Sequence, residues 1–383
     1  MKNYDVAVIG RGMVGSAVAL GFVKQGRRVA IVENDSLSNF SPSQPIDIRV
    51  SAISQCSVHL LDRLGAWSSI TKMRVCPYRR LETWCFPECR IHFDSKAVGL
   101  SQLGYIIENR VIQLGLISQF SKYLNLVVYS DELKGIQFKE DRNILFLKSG
   151  EKFSAMWVIG ADGKHSRVRQ LANIGITAWD YRQHCISIGV NTDLPQQDIA
   201  WQHFTPTGPR SFLPLCGNQG SLVWYDSPER IKQLCAMNSK QLRSEILCHF
   251  PKELGDIKVL QKGAFSLTRR HAQKYSNKRC VLVGDSAHTI NPLAGQGVNI
   301  SFKDVVALLE VTSGVEILSN DLLVQYELRR RPDNLLMQTG IDLLYKGFSN
   351  DFLPLKLARN VMFKLVDSSE IIKRKVLKYA LGL

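Results

Sequence analysis

A chain of 383 residues, 45% of them hydrophobic, is long enough to bury on the order of three quarters of its unfolded surface. No apolar run approaches the ~18–20 residues of a membrane span, and the N-terminus runs straight into a strand-like segment, which reads as a chain without a signal peptide. Nine cysteines, an odd number, read as reduced thiols of a cytoplasmic protein, and the net charge of +15 points to an acidic partner surface or a solvated basic one. No segment has the pattern of a nucleic-acid module, so anionic lipid is the preferred partner. Cys76, Cys85, Cys89 and His92 lie near one another, but no C-x-x-C pair accompanies them and no metal site is expected.

Tyr4 to Ile9 reads as a first strand. Gly10-Arg11-Gly12-Met13-Val14-Gly15 follows, then a helical pattern from Val14 to Gln25, then a strand from Val29 to Val32 ending at Glu33. This is the dinucleotide fingerprint in context: strand, G-x-G-x-x-G, helix, strand, acid. Gly10 permits the tight turn, Gly12 lets a diphosphate approach the backbone, and Gly15 lets the helix pack close to the sheet. Glu33 can accept from the ribose hydroxyls, and its charge would repel the 2′-phosphate of NADP.

A helix is expected after Arg49, and helical periodicity runs from Tyr105 to Tyr123. Alternating strands follow at Val127-Val128, Ile136–Phe138 and Ile144–Leu147. Trp157 to Arg169 reads as strand, turn and the start of a helix with a basic first turn, around Ala161-Asp162-Gly163. A β-rich section from about 176 to 275 carries strands at Ile186–Val190, Trp201–Phe204, Arg210–Leu215 and Leu222–Trp224. His203, Arg210, Trp224 and Tyr225 lie on it, and Trp224 and Tyr225 cannot both point inward, because strand side chains alternate faces. His203 is both a structural and a catalytic candidate, and Tyr225 is a second catalytic candidate.

Val281-Leu282-Val283 reads as a buried strand ending at Gly284-Asp285, and Pro292-Leu293-Ala294-Gly295-Gln296-Gly297 opens a helix. An acid at a strand end and a glycine-rich helix start suit a ligand with both a polyol and a delocalised anion. FAD has both. Asp285 would accept from the ribityl hydroxyls, while Gly295 and Gly297 keep side chains clear of the ring. Gln296 and Asn299 either touch the ring or order the loop. His288 reads as structural, Arg269-Arg270-His271 as a solvated run or an anion contact, and Arg329-Arg330-Arg331 as solvated surface. From Leu353 to Val366 a basic amphipathic pattern reads as a membrane-surface helix, or equally as a domain cap or dimer contact.

The order G-x-G-x-x-G, G-A-D-G-x-x-S-x-V-R, G-D-x-A-H-x-x-x-P-x-x-G-Q-G-x-N resembles the single-component flavoprotein aromatic hydroxylases, whose type fold is that of para-hydroxybenzoate hydroxylase. Within that group the chain is similar, nearly end to end, to the ubiquinone-biosynthesis hydroxylases, through Asp47–Ser54, Pro77–Trp84, Trp201–Pro206, Leu222–Pro228, Leu267–Ala272 and Leu377–Leu383 among others. The resemblance points most nearly to the branch acting on 2-polyprenyl-3-methyl-6-methoxy-1,4-benzoquinol. It implies an α/β fold: a Rossmann-type FAD-binding domain (1–75, 97–175, 276–349) interleaved with a β-sheet substrate domain (76–96, 176–275), and a helical C-terminal region (350–383).

The resemblance also implies that Arg49 meets the FAD diphosphate, that Gln113 contacts the cofactor and that Asp162 is a turn acid near the nicotinamide path. NAD(P)H would visit transiently, since the chain has one fingerprint and not two. Dioxygen would form a flavin hydroperoxide that hydroxylates an electron-rich ring. A polyprenylated substrate implies a peripheral place on the inner face of the cytoplasmic membrane and association with other enzymes of the pathway, with a homo-oligomer left open. Two rivals stand beside this reading: a sister hydroxylase acting at another ring position, and a non-catalytic flavin- or prenyl-binding carrier on the same fold.

Overall fold

The computed structural model describes residues 1–86, 88–291 and 295–348, and near the C-terminus 369–370, 373–375 and 377. Strand β1 (Lys2–Ile9) leads into α1 (Met13–Lys24) and β2 (Val29–Val32), followed by β3 (Val50–Ser54), α2 (Gln55–Arg63) and α3 (Trp67–Met73). Then come β4 (Cys76–Tyr78), β5 (Arg80–Trp84), β6 (Arg90–Asp94), β7 (Gly104–Glu108) and α4 (Asn109–Ile117). Strands β8 (Leu126–Tyr129), β9 (Leu133–Phe138), β10 (Asn143–Leu147) and β11 (Lys152–Gly160) precede α5 (Arg167–Leu171). The long strands β12 (Ile176–Thr192), β13 (Ile199–Thr205), β14 (Gly208–Pro214) and β15 (Gln219–Asp226) lead to α6 (Pro228–Ala236), α7 (Ser239–His249) and β16 (Ile257–Ala272). The short β17 (Ser276–Asn277), β18 (Cys280–Leu282) and β19 (His288–Thr289) precede α8 (Gly297–Val311) and α9 (Asn320–Phe348).

The first sheet has the order β17-β18-β11-β1-β2-β8, with β10 and β9 joined beside β11. The pairs β1–β2, β1–β11, β11–β18 and β2–β8 are parallel. Parallel strands are covered on both faces, so β2 is the unbroken run Val-Ala-Ile-Val, buried throughout. Helix α1 is buried from Gly15 to Val23, because α4 and α8 pack on it as well as β1 and β2. A Cβ on Gly21 would lie 2.3 Å from Leu309 of α8, so glycine sets how closely the two helices pack.

The second sheet runs β19-β16-β12-β15-β14-β13-β5-β6. Its period-two alternation separates two faces. Ile186, Ile188, Leu222, Trp224, Trp201 and Phe212 pack on Ile231, Leu234, Leu242 and Ile246 of α6 and α7. Cys185, Tyr225, Leu267, Val223 and Phe265 form the opposite face. That face meets the segment that leads into β3, since Arg49 stacks on Phe265 at 4.9 Å and Gln261 reaches the Ile46 carbonyl.

The third sheet, β3-β7-β4, differs from expectation. Arg49 leads into β3 and not into a helix, and helix α2 begins only at Gln55. The span from Tyr105 opens as strand β7 and turns helical at Asn109. Its β-branched pair Ile106-Ile107 suits a pleated edge better than a first helical turn. Residues 76–96 also divide: β4 joins the third sheet, while β5 and β6 extend the second, β5 lying parallel to β13. The amphipathic stretch Leu353–Val366 lies outside the described residues. Leu377 packs into the protein's own cluster with Ile46, Cys76, Tyr78 and Ile91. No helix among the described residues is long and apolar enough to cross a membrane.

Candidate functional site

The nucleotide end is a turn that only glycine can make. Gly10 has φ +101°, and a Cβ there would sit 2.4 Å from the Ala161 carbonyl oxygen. A Cβ on Gly15 would sit 1.9 Å from the Gly10 carbonyl oxygen, so α1 touches the strand it follows. Gly12 is the reverse case: nothing lies within 4 Å of its missing Cβ. Gly12 caps α1 with no side-chain hydrogen bond, and no acid stands in the first turn begun by Met13 and Val14. The free N–H groups there face open space, as an anion site requires. Glu33 accepts from the backbone N–H of Arg11 at 3.0 Å and of Asn34 at 3.0 Å, which fixes its carboxylate beside the turn. From α4, Gln113 donates to the Arg11 carbonyl at 2.7 Å, bracing the same residue from the other side.

The second end lies where β18 stops. Gly284 takes φ +60°, and a Cβ there would be 3.3 Å from Val14 of α1, so the two motifs meet. Asp285 follows, and its carboxylate is exposed and accepts no hydrogen bond from the described residues. Protein atoms crowd around it, and that desolvation raises its pKa against the opposing pull of His288, Lys164 and Arg49. Gly295 has φ +62°, and its nearest neighbour is Ala52, 3.4 Å from where a Cβ would be. Gln296 is the N-cap of α8 and makes no side-chain capping hydrogen bond, and Gly297 starts the helix with open space where its Cβ would stand. Pro292 lies outside the described residues.

Asn299 does not reach into that space. Its Oδ1 accepts from Ser54 N at 3.0 Å and Ser57 Oγ at 2.8 Å, and its Nδ2 donates to Ala52 O at 2.9 Å. Of the two roles open to it, the structure shows loop ordering. Asp162 is a helix cap: its Oδ2 accepts from Arg167 N at 2.6 Å and Val168 N at 3.1 Å, while its buried Oδ1 has no partner. Burial raises its pKa. Arg169 of α5 is buried and donates to the Ser286 carbonyl at 2.9 Å, tying this turn to that of Asp285.

Sequence reasoning missed the group beneath the site. Asp304, fully buried in α8, accepts from Gly284 N at 3.0 Å, His288 Nε2 at 2.5 Å, Arg330 Nε at 2.8 Å and Asn334 Nδ2 at 3.0 Å. Burial alone would raise its pKa, but His288 and Arg330 outweigh it and hold the carboxyl at about 2. Arg330 is therefore not solvated surface as its sequence run suggested; its neighbour Arg329 is, paired with Glu310 at 2.5 Å. The run at 269–271 divides too. Arg269 is buried against Asp342 and Trp179, and His271 is buried with Nδ1 2.9 Å from Gln338 Oε1. Arg270 is half-buried, with a hydrogen bond to the Lys164 carbonyl. An acid on the apolar side of α8 was the one available signal, and it needs α9 to be read.

Neither catalytic candidate faces the cleft as a base. His203 shares its strand face with Trp201, stacks on Trp84 at 5.5 Å and lies 3.3 Å from the Cys85 carbonyl, on the side covered by α7. Burial lowers its pKa. Arg210, over the Trp224 ring, is on the same outer side. Tyr225 takes the inner face and Trp224 the outer, but the Tyr225 phenol is buried with Cys185 and Leu267, and burial pushes its pKa well above the usual value. Beside the glycine loop the inner face instead offers an apolar floor of Ile290 and Ile300, with Phe204 and Met337 against them.

Two uncapped helix starts, an unpartnered carboxylate and a glycine-lined gap form a cradle for a diphosphate, a polyol and a flat ring, and FAD fits each part. A cradle of this kind, beside a mostly parallel sheet and a broad antiparallel one, is that of an FAD-binding protein, and similarity to known hydroxylases makes it an FAD-dependent monooxygenase. The FAD binding domain family matches residues 3–335, and the chain belongs to it. It is 46% identical over 385 residues to the 3-demethoxyubiquinol 3-hydroxylase of Escherichia coli (strain K12), covering 99% of this chain and 98% of that one. It is 30% identical to the ubiquinone hydroxylase UbiL of Rhodospirillum rubrum, over 100% of this chain and 90% of that protein. Among solved structures, p-nitrophenol 4-monooxygenase PnpA from Pseudomonas putida DLL-E4 superposes with a TM-score of 0.82 at 20% identity, over 100% of this chain and 99% of that one. At that identity the likeness is one of fold.

Proposed function

We propose that this protein hydroxylates the ring of a polyprenylated benzoquinol in ubiquinone biosynthesis, with NAD(P)H and dioxygen as co-substrates. The ring we assign is 2-polyprenyl-3-methyl-6-methoxy-1,4-benzoquinol, a ubiquinol ring short of one methoxy group, hydroxylated at its open carbon. The observation that carries the reading is the end-to-end similarity to a hydroxylase of demethoxyubiquinol, and the glycine turns at Gly10 and Gly284 beside the Asp285 carboxylate support it.

FAD, when bound, would supply the redox chemistry: with two electrons from NAD(P)H, one atom of dioxygen would enter the ring as a hydroxyl and the other would leave as water. The protein's part is to hold and to exclude. Gly12, Met13 and Val14 offer backbone N–H groups to the diphosphate, Arg49 lends it positive charge, and Glu33 accepts from the ribose, with Gln113 fixing the Arg11 turn. Asp285 accepts from the polyol. The N-terminus of α8, at Gly295, Gln296 and Gly297, would steady negative charge on a bound ring by about 1–2 kcal/mol. Phe204, Ile290 and Ile300 keep the ring's surroundings dry, which protects the oxygenating step from water. No general base is assigned.

The substrate is membrane-soluble and the chain carries a charge of +15, which supports work at an anionic membrane face beside other enzymes of the pathway. Sedimentation with anionic vesicles at low salt tests that placement, and absence of binding removes it. The function itself is tested by mass spectrometry of the quinol product formed by the purified protein with NADPH and dioxygen. Conversion of this quinol, with oxygen at its open carbon beside the methoxy group, supports the assignment, and conversion only of a precursor ring with other open carbons makes the protein a sister hydroxylase. No product from a yellow, reducible protein would overturn both.

A further inference from the structure

The turn carrying Asp285 is held on both sides of that residue. On one side Ser286 Oγ donates to the Val283 carbonyl at 2.8 Å and accepts from Val283 N at 3.1 Å, and Arg169 grips the Ser286 carbonyl. On the other, Gly284 N donates to Asp304 Oδ2. Between these anchors stands Asp285, whose own carboxylate makes no hydrogen bond with the described residues. Gly284 is left-handed, at φ +60°, so its direction is not one the backbone takes by default. Asp304 sits seven residues after Gly297, roughly 10 Å along the same helix. One rigid rod therefore carries both the ring-facing N-terminus and the acceptor that fixes the Gly284 turn.

We infer that Asp304 is a positioning residue of the cofactor site: it sets the direction of Asp285 through Gly284 and keeps that carboxylate in register with the start of α8. Arg330 and Asn334 bind its other oxygen and hold it against rotation. The full acceptor set of a carboxylate is needed, since one oxygen serves the turn and the other serves α9. An amide at this place would keep one acceptor and put a donor against either the Gly284 N–H or the Arg330 guanidinium.

The inference rests on Asp285 being a cofactor acid, and the experiment separates the two. FAD is removed from the purified protein, and its dissociation constant is measured by flavin fluorescence for wild type, Asp304→Asn, Gly284→Ala and Asp285→Ala. The melting temperature of each apoprotein is taken alongside. Glu327→Ala is the control, because Glu327 ties α9 to the Tyr275-Ser276 backbone and touches neither Gly284 nor Asp304. Asp304→Asn and Gly284→Ala should each raise the FAD dissociation constant at least tenfold, while Glu327→Ala lowers the melting temperature and leaves FAD affinity within twofold. A dissociation constant for Asp304→Asn within twofold of wild type would overturn the inference. If that variant does not fold, an unchanged constant for Gly284→Ala overturns it instead. If Asp285→Ala itself leaves the constant unchanged, the reading of Asp285 fails and the inference falls with it. If Asp285→Ala raises the constant and Asp304→Asn does not, only the positioning role is lost.

Discussion

Asn299 and Ser54 stand 245 residues apart and are joined by a 3.0 Å hydrogen bond from the Ser54 backbone to the Asn299 side chain. With the reach of Asn299 to the Ala52 carbonyl, it clips the start of α8 to β3 and sets the width of the glycine gap. Asn299→Leu removes both the acceptor and the donor and leaves buried backbone groups unsatisfied. The expected cost is about 1–3 kcal/mol in urea unfolding, with faster loss of FAD on dialysis. Unchanged stability would show that water or a shifted loop satisfies those groups.

Two glycines of one motif should fail differently. Gly15→Ala places a methyl where the Gly10 carbonyl already stands, so α1 must lift from β1, and soluble, folded yield should fall. Gly12→Ala meets nothing in the protein, so circular dichroism and melting of the apoprotein should be nearly those of wild type. Its FAD affinity should drop by tenfold or more, because the methyl fills the space assigned to the diphosphate. Normal flavin content in purified Gly12→Ala would refute that assignment.

Adjacent arginines should differ as sharply. Arg330→Met strands the buried Asp304 carboxylate and should cost about 3–5 kcal/mol. Arg329→Met removes an exposed pair with Glu310 and should cost about 0–1 kcal/mol. Thermal melts of the two variants read the difference, and equal shifts would contradict the burial described for Arg330.

Stability should fall in mild acid. His271 is buried and its pKa is lowered by burial from its ordinary value to about 4. Between pH ~6.5 and ~4 the unfolded chain takes up a proton that the folded protein refuses, so stability is complete above that window and is lost as pH falls through it. The loss is at most about 3 kcal/mol from this group, and burial of His203 acts in the same direction. His271→Gln should flatten the fall in urea midpoint between pH 7 and pH 5; an unaltered slope would exclude His271 as its source.

The parts legible in the sequence were those where local backbone demands fix the residue. Gly10, Gly12 and Gly15 could be assigned separate roles because a turn, an open approach and a helix contact each exclude a side chain. The place of Asp285, just past the end of a buried strand and before a glycine-rich helix start, was legible for the same reason. What could not be read was decided by partners distant in the chain. Alternation says that Trp224 and Tyr225 face opposite ways, but only α6 and α7 decide which face is covered, and that is the face Trp224 takes. Arg330 looks like its neighbours until Asp304 is placed beneath it. Ile106 and Ile107 suit strand or helix until β3 and β4 claim them.

The parallel neighbours of β1 carry a consequence for how the protein comes into being. Strand β1 is laid down first, yet its partner β11 arrives near residue 152, and β18 beside β11 only near residue 280. At ~5–20 residues per second, the ribosome needs roughly 15–60 s to supply that last strand. Throughout that interval an apolar, unpaired edge is exposed to chaperones and to other nascent chains, and no coenzyme can yet be captured to protect it.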